Sequence, residues 1–224
     1  MQTQARQASN FMPFTYRDEK GRELFQHVRF IPEDGKRVVY YRWRHHPKDP
    51  YWVNGKPTRR THGFDADDYL YRLPEVLVAV RAGESVWWAE GERDALALRN
   101  AGVCGTSHHG AATTVFVEQG AWLADAREVV LCLDKDAPGA ADGLLRWQIL
   151  VEDCGVDPGR IRVLYSPQRG CKDVRDHLEA GHPLSALRTM SLSGLRKEAS
   201  KYTKETAKRA GYVFVASPKK GRRP

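Results

Sequence analysis

The sequence predicts an α/β fold: a parallel sheet flanked by helices, preceded by a small β-rich basic segment and followed by a basic C-terminal helix. Three observations predict it. From Glu84 onward, short apolar runs alternate with helix-length amphipathic stretches, the pattern of repeated strand–helix units with right-handed crossovers. The run Val129–Leu133 is continuously apolar, as in a strand covered on both faces. Before Glu84, β-branched and aromatic residues gather in short runs separated by turn-forming residues.

Taken in order, Phe14–Tyr16 and Leu24–Phe30 read as strands joined through Asp18-Glu19-Lys20-Gly21, a turn cluster ending in glycine. Val38–Trp43 is a third strand, and His45–Arg60, with three prolines and a glycine, is irregular. Tyr71–Val80 is a helix with Pro74 in its first turn, closed by Gly83. Strands then follow at Ser85–Ala89, Val103–Thr106, Val129–Leu133 and Ile161–Tyr165. Helices alternate with them at Glu92–Ala101, Val115–Ala126, Ala140–Cys154 and Val174–Ala180, three of them ended by a glycine. Gly194–Ala210 is a basic helix, and the tail from Lys219 reads as disordered. The division expected is 1–83, 84–190 and 191–224.

A chain of 224 residues buries a core without disulfides or metals. No apolar run approaches the ~18 residues of a membrane span, and Met1–Asn10 lacks the apolar stretch of a secretory signal. The four cysteines form no CxxC pair, which disfavours a zinc ribbon and fits reduced thiols in a cytoplasmic protein. Charge is segregated. Residues 1–83 hold 15 Lys+Arg against 10 Asp+Glu, residues 84–194 hold 11 against 16, and residues 195–224 hold 10 against 2. Basic ends suit a polyanion, and an acidic centre suits metal ions.

The acids of that centre share a placement. Glu90 follows the strand Ser85–Ala89, Asp134 and Asp136 follow Val129–Leu133, and Asp173 and Asp176 follow Ile161–Tyr165 after a loop. The carboxyl edge of an open α/β sheet is where ligands bind. Carboxylates gathered there repel, by ~4 kcal/mol for a pair at ~4 Å and an effective dielectric of ~20. A divalent cation relieves this, and an oxygen-only set favours Mg²⁺ or Mn²⁺ over Zn²⁺. Taken singly, each acid reads more readily as a cap of the following helix than as a ligand. His108-His109-Gly110 lies in a loop whose amides could hold a phosphate, and Trp43, Trp52, Trp87 and Trp88 are candidates for base stacking, with at least one of the last two in the core.

Together these segments resemble a family. VWWAEGERDALAL is similar to the first Toprim motif, VVLCLDKDAPGAADG to the second, and GCKDVRDHLEAG to the Lys-Asp-x-x-Asp segment of primase members. The match spans roughly Glu84 to Gly181 in family order. Upstream, YRDEKGRELFQHVRF, a Trp-containing stretch and LYRLPEVLVAVRAGE resemble the segment before Toprim in phage and mobile-element primases of the DnaG type.

The resemblance implies a Toprim-like sheet and a Mg²⁺- or Mn²⁺-dependent nucleotidyltransferase. It would join nucleoside triphosphates into short RNA primers on a single-stranded DNA template during DNA replication. It assigns general acid/base work to Glu90, metal binding to Glu90, Asp134, Asp136, Asp173 and Asp176, and close backbone approach to Gly91 and Gly139. Lys135, Lys172 and Arg175, with Arg42, Arg44, Arg59, Arg60 and Arg72, are the candidate phosphate ligands. Asp94 is expected to bind loop backbone. With no zinc ribbon and no GxxxxGK[ST] motif, a helicase or zinc-binding partner would act in trans. Phosphodiester cleavage by the same carboxylates, or nucleic-acid binding without catalysis, are the alternatives.

Overall fold

A computed structural model describes residues 11–32, 38–46, 48–109 and 115–202. The first sheet is antiparallel, in the order β1 (Phe11–Arg17), β2 (Glu23–Phe30), β3 (Val38–Trp43), β4 (Val53–Asn54). The turn between β1 and β2 is held by the buried Asp18 carboxylate, which accepts the amides of Lys20 and Arg22. Gly21 closes it at φ 80°, a conformation glycine adopts without steric cost. The two-residue β4 lies inside the stretch expected to be irregular. It is followed by the short helix α1 (Arg59–His62) and a 3₁₀ turn at Ala66–Asp68.

The second sheet comprises β5 (Ser85–Ala89), β6 (Cys104–Ser107), β7 (Glu128–Leu133), β8 (Ile161–Tyr165) and β9 (Arg188–Thr189), in the order β6-β5-β7-β8-β9. All its pairings are parallel except the edge pairing of β9 on β8, which the sequence reading lacked. The helices are α2 (Leu73–Arg81), α3 (Glu92–Asn100), α4 (Val117–Ala121), α5 (Ala137–Gln148), α6 (Val174–Glu179) and α7 (Leu192–Ala199). Alternation along the strands divides the core. Val86, Trp88, Val129, Leu131 and Leu133 meet Val76 and Ala79 of α2, Ala140 of α5 and Leu195 of α7. Trp87, Ala89, Val130, Cys132 and Leu164 meet Leu98 of α3 and Val174 of α6. Each fully buried leucine stabilises by about 1.5–3 kcal/mol, so the strands that carry the acids are rigidly held. Trp87 and Trp88 are both core residues.

Three expectations change. The helix expected at Val115–Ala126 is only Val117–Ala121, followed by successive turns. The helix from Ala137 continues to Asp153 as a π-helical turn, and Gly155 ends it at φ 71°. The C-terminal helix starts at Leu192, not Gly194, because the Ser191 hydroxyl caps the Gly194 amide. Its continuation to Ala210 and the tail lie outside the described residues. Among those described, no helix is long and apolar enough to cross a membrane.

The two sheets meet through α3. Phe14, Tyr16 and Phe25 pack with Tyr71 and Ala95. The buried Glu92 carboxylate accepts the Tyr16 hydroxyl at 3.0 Å and lies 2.5 Å from His27 Nδ1. Burial would raise the Glu92 carboxyl, but His27 and Tyr16 hold it below the usual carboxylate range.

Candidate active site

β5, β7 and β8 are neighbours, so the residues after their carboxyl ends share one edge. Glu90 stands between β5 and α3, Asp134 directly follows β7, Asp136 is the N-cap of α5, and Asp173 is the N-cap of α6. The β7 and β8 loops are tied together by Lys135 N–H on Lys172 O at 2.7 Å and by Lys135 Nζ on Gln168 O at 2.6 Å. At Gly139 a Cβ would lie 2.5 Å from Asp134 Cβ and 2.6 Å from its carbonyl oxygen. Only glycine lets α5 approach the acid this closely. At Gly91 a Cβ would meet Asp94 Oδ2 at 3.1 Å.

The acids divide by how their oxygens are used. Asp136 Oδ1 accepts the Gly139 amide at 2.8 Å, and Asp173 Oδ1 accepts the Asp176 amide at 2.7 Å. Both are therefore helix caps, and each keeps a second oxygen for other partners. Lys172 Nζ lies 3.2 Å from Asp134 Oδ2 and 3.2 Å from Asp136 Oδ2, an ammonium between two carboxylates. Asp173 Oδ2 is 3.5 Å from Arg175. Asp176 is turned to its own loop. It accepts the Lys172 amide and the Arg175 guanidinium, which hold its carboxyl below the usual range. Asp94 is buried and accepts the Arg175 amide at 3.3 Å.

Burial and mutual repulsion push three of these carboxyls upward. Glu90 is raised to about 9 by burial and then by Asp142 and Asp134. Asp94 is raised to about 7 by burial and by Asp173 and Asp134. Asp134 is raised to about 6 by burial, with Lys172 opposing. Carboxyls that resist ionisation beside one another mark a place where positive charge is favoured. Glu90 Oε2 is buried with no hydrogen-bond partner, and an orphaned buried acceptor calls for a donor or a cation. Among the described residues no three His, Cys, Asp or Glu side chains are already drawn together as a metal cage. Lys172 supplies the positive charge between Asp134 and Asp136. The all-oxygen donor set fits a hard divalent cation.

The remaining predicted cations lie apart from this cluster, on the N-terminal half. The Arg42 guanidinium stacks between Phe11 and Trp52, 4.8 and 4.1 Å from their ring centres. Arg44 stacks on the Trp52 ring at 4.4 Å and pairs with Glu23. Arg59 pairs with Asp68, Arg60 is exposed, and Arg72 binds the Gly105 carbonyl and Glu75. Trp43 packs against His45 and His62. A cleft of about 710 Å³ runs between β1 and helices α3 and α6, with Phe14, Tyr71 and Leu96 in its wall and Arg93 and Arg175 at its rim. Arg175 thus links the acid cluster to a partly apolar cleft.

Sequence reasoning missed a layer beneath the acids. Asp142, Arg146 and His108 are completely buried, with His108 Nε2 3.2 Å from Asp142 Oδ1 and Arg146 Nε 2.8 Å from Asp142 Oδ2. A signal existed. Gly139, Asp142, Gly143, Arg146, Ile149 and Leu150 recur at helical spacing on one buried face. His109 is also buried, held by Ala66 O and Tyr41, and burial drives its ring down to about 3. It is therefore neutral. Residues 110–114 of the expected phosphate loop lie outside the described residues.

No family model matches this sequence, and no curated protein matches it. Solved structures do match in fold. The DnaG catalytic core is 19% identical with a TM-score of 0.56, over 89% of this chain and 61% of that chain. The zinc-binding and RNA polymerase domains of the Aquifex aeolicus primase are 19% identical with a TM-score of 0.54, over 84% of this chain and 39% of that chain. A DnaG primase catalytic domain bound to single-stranded DNA is 20% identical with a TM-score of 0.50, over 88% and 66%. The chain thus spans between 39% and 66% of the length of these structures. Its fold is that of the DnaG-type primase catalytic core.

Proposed function

We propose that this chain is a metal-dependent, primase-type nucleotidyltransferase that joins ribonucleotides into short primers on single-stranded DNA. The observation that carries the reading is the acid cluster of Glu90, Asp134, Asp136, Asp173 and Asp94. It stands at the carboxyl edge of three adjacent strands of a primase-like sheet, where the Glu90, Asp94 and Asp134 carboxyls are raised by burial and by neighbouring acids. Asp134, the second oxygens of Asp136 and Asp173, and Glu90 would hold Mg²⁺ or Mn²⁺. When bound, the metal would supply charge stabilisation at the transferring phosphoryl group.

The chain's own groups divide the rest of the work. Once a bound cation favours its ionised form, Glu90 would take the proton of the attacking 3′-hydroxyl. Burial and Asp142 make its anion a stronger base than an ordinary carboxylate. Lys172, released from Asp134 and Asp136, and Lys135 and Arg175 in the same loops bind triphosphate oxygens. Arg42, Arg44, Arg59, Arg60 and Arg72 of the 1–83 segment guide the template backbone. Trp52, already stacked by two guanidinium groups, offers a ring to a base. Residues 84–190 form the catalytic unit, and the basic segment 191–224 adds template affinity. A helicase or zinc-binding protein joins in trans, in the cytoplasm.

One gel tests the reading, combining the purified chain, single-stranded DNA, labelled ribonucleoside triphosphates and Mg²⁺ or Mn²⁺. Short products formed without a primer, lost in Glu90→Gln, are expected. Shortened template with no product would replace the polymerase with a nuclease, and a retarded band alone would leave only binding.

A further inference from the structure

Arg146 lies entirely out of solvent on α5. Its Nη1 donates to the Trp88 carbonyl at 2.5 Å and its Nη2 to the Cys132 carbonyl at 3.2 Å. Trp88 and Cys132 each precede a candidate catalytic acid by two residues, Glu90 just after β5 and Asp134 just after β7. The register of β5 on β7 runs from Ser85–Glu128 to Trp88–Leu131. The guanidinium fork therefore joins the two strands where their own pairing stops. Asp142, one turn earlier and equally buried, holds Arg146 Nε at 2.8 Å and reaches His108, just beyond β6, at 3.2 Å. One side-chain network thus spans the ends of β6, β5 and β7.

We propose that Arg146, oriented by Asp142 and His108, is a positioning residue whose fork across the Trp88 and Cys132 carbonyls sets the spacing between Glu90 and Asp134. The inference rests on the proposed function and adds a residue to it. A buried ion pair is a weak way to stabilise a fold, since a well-packed apolar pair of similar volume often does as well. A planar fork with fixed donors does what an apolar side chain cannot: it fixes two acceptors relative to one another. Geometry at this level matters, because a displacement of ~1 Å at reacting groups costs on the order of 10²-fold in rate.

The test uses two variants of the full chain. Asp142→Leu with Arg146→Met replaces the pair by apolar groups, and Arg146→Lys keeps the charge with a single point donor. Three quantities are read: cooperative melting by circular dichroism, Mn²⁺ affinity by electron paramagnetic resonance without nucleotide, and primer synthesis with kcat and KM separated. At least one variant is expected to melt cooperatively, bind Mn²⁺ about 10-fold or more weakly, and lose on the order of 10²-fold in kcat with KM for nucleotide unchanged. Folded variants with wild-type Mn²⁺ affinity and kcat overturn the proposal. Loss of cooperative melting in both also overturns it, because Arg146 is then structural first. A wild-type chain that binds Mn²⁺ but makes no primers refutes the functional reading alone, and the Mn²⁺ arm still decides the role of Arg146.

Discussion

Replacing Lys172 by methionine should make the chain bind divalent metal more tightly while making the metal-free fold slightly less stable. The ammonium sits 3.2 Å from one oxygen of Asp134 and 3.2 Å from one of Asp136. At an effective dielectric of ~20, each contact is worth about 5 kcal/mol of gross Coulomb energy. The lysine side chain is 56% exposed, so screening and side-chain entropy reduce each to about 0–1 kcal/mol. The net loss is then about 1 kcal/mol, or ~2–4 °C in Tm for a chain of this size. The same quantity reappears with opposite sign in metal binding, because an arriving cation no longer displaces the ammonium. About 1 kcal/mol is roughly fivefold in Kd. Calorimetric Mn²⁺ titration of wild type and Lys172→Met, with melting curves in EDTA, reads both effects. Equal or weaker Mn²⁺ binding in the variant would show that Lys172 does not hold the cation's position. Nucleotide affinity is measured separately, since the same side chain is assigned to triphosphate.

Four further outcomes follow from the same geometry. Glu90→Gln, nearly isosteric, should retain single-stranded DNA binding and lose about 10²–10⁴ in kcat; wild-type turnover in a stopped-time primer assay would remove the acid/base role. Asp134→Asn with Asp136→Asn should abolish the Tm rise from Mg²⁺, which at 100 times the dissociation constant is worth about 2.7 kcal/mol in wild type. Glu90, Asp94 and Asp134 have carboxyls raised to about 9, 7 and 6 by burial and neighbouring acids. The stability they allow is full below the ordinary carboxyl range of about 4 and is lost as pH rises through those values. Metal-free Tm should therefore fall between pH 5 and 9 and saturating Mg²⁺ should flatten the fall, whereas a metal-free Tm that climbs over this window would contradict the assignment. Truncation before Thr203 removes seven Lys+Arg and one Glu, and should lower the salt slope of single-stranded DNA binding by up to about 5 at ~0.7 per phosphate. The cut belongs there and not at Leu195, because Leu195 and Ala199 pack in the core.

Strand–helix alternation was legible because a strand buried on both faces and an amphipathic helix leave different periods in sequence. Placing Glu90, Asp134, Asp136 and Asp173 at one edge needed only the strand ends and parallel order. Helix capping was also a local signal, and Asp136 and Asp173 do cap. Sequence did not show that each cap leaves one oxygen available, since that depends on how the loop turns. The Asp142–Arg146 pair was illegible for a different reason. Acid and base four apart on a helix ordinarily mark a solvated pair, and only the seat of Arg146 against Trp88 reveals the buried side. The close seat of α4 was illegible too: a Cβ at Gly120 would lie 2.6 Å from Ile149 Cγ2, a contact distant in sequence.

Glu92 stands two positions after Glu90 in the first turn of α3, but its carboxylate is held by Tyr16 and His27 of the other sheet. A fragment beginning at Glu84 would keep every residue of the acid cluster and lose both partners of Glu92. The same cut uncovers Ala95 and Leu96 of α3, which pack with Phe14, Tyr16 and Phe25, and apolar surface left open to water forfeits roughly 25 cal/mol per Å². The acid-bearing half is therefore not portable. Grafting it into another protein, or exchanging it between relatives, requires carrying β1 and β2 along or covering the same face of α3 with another element.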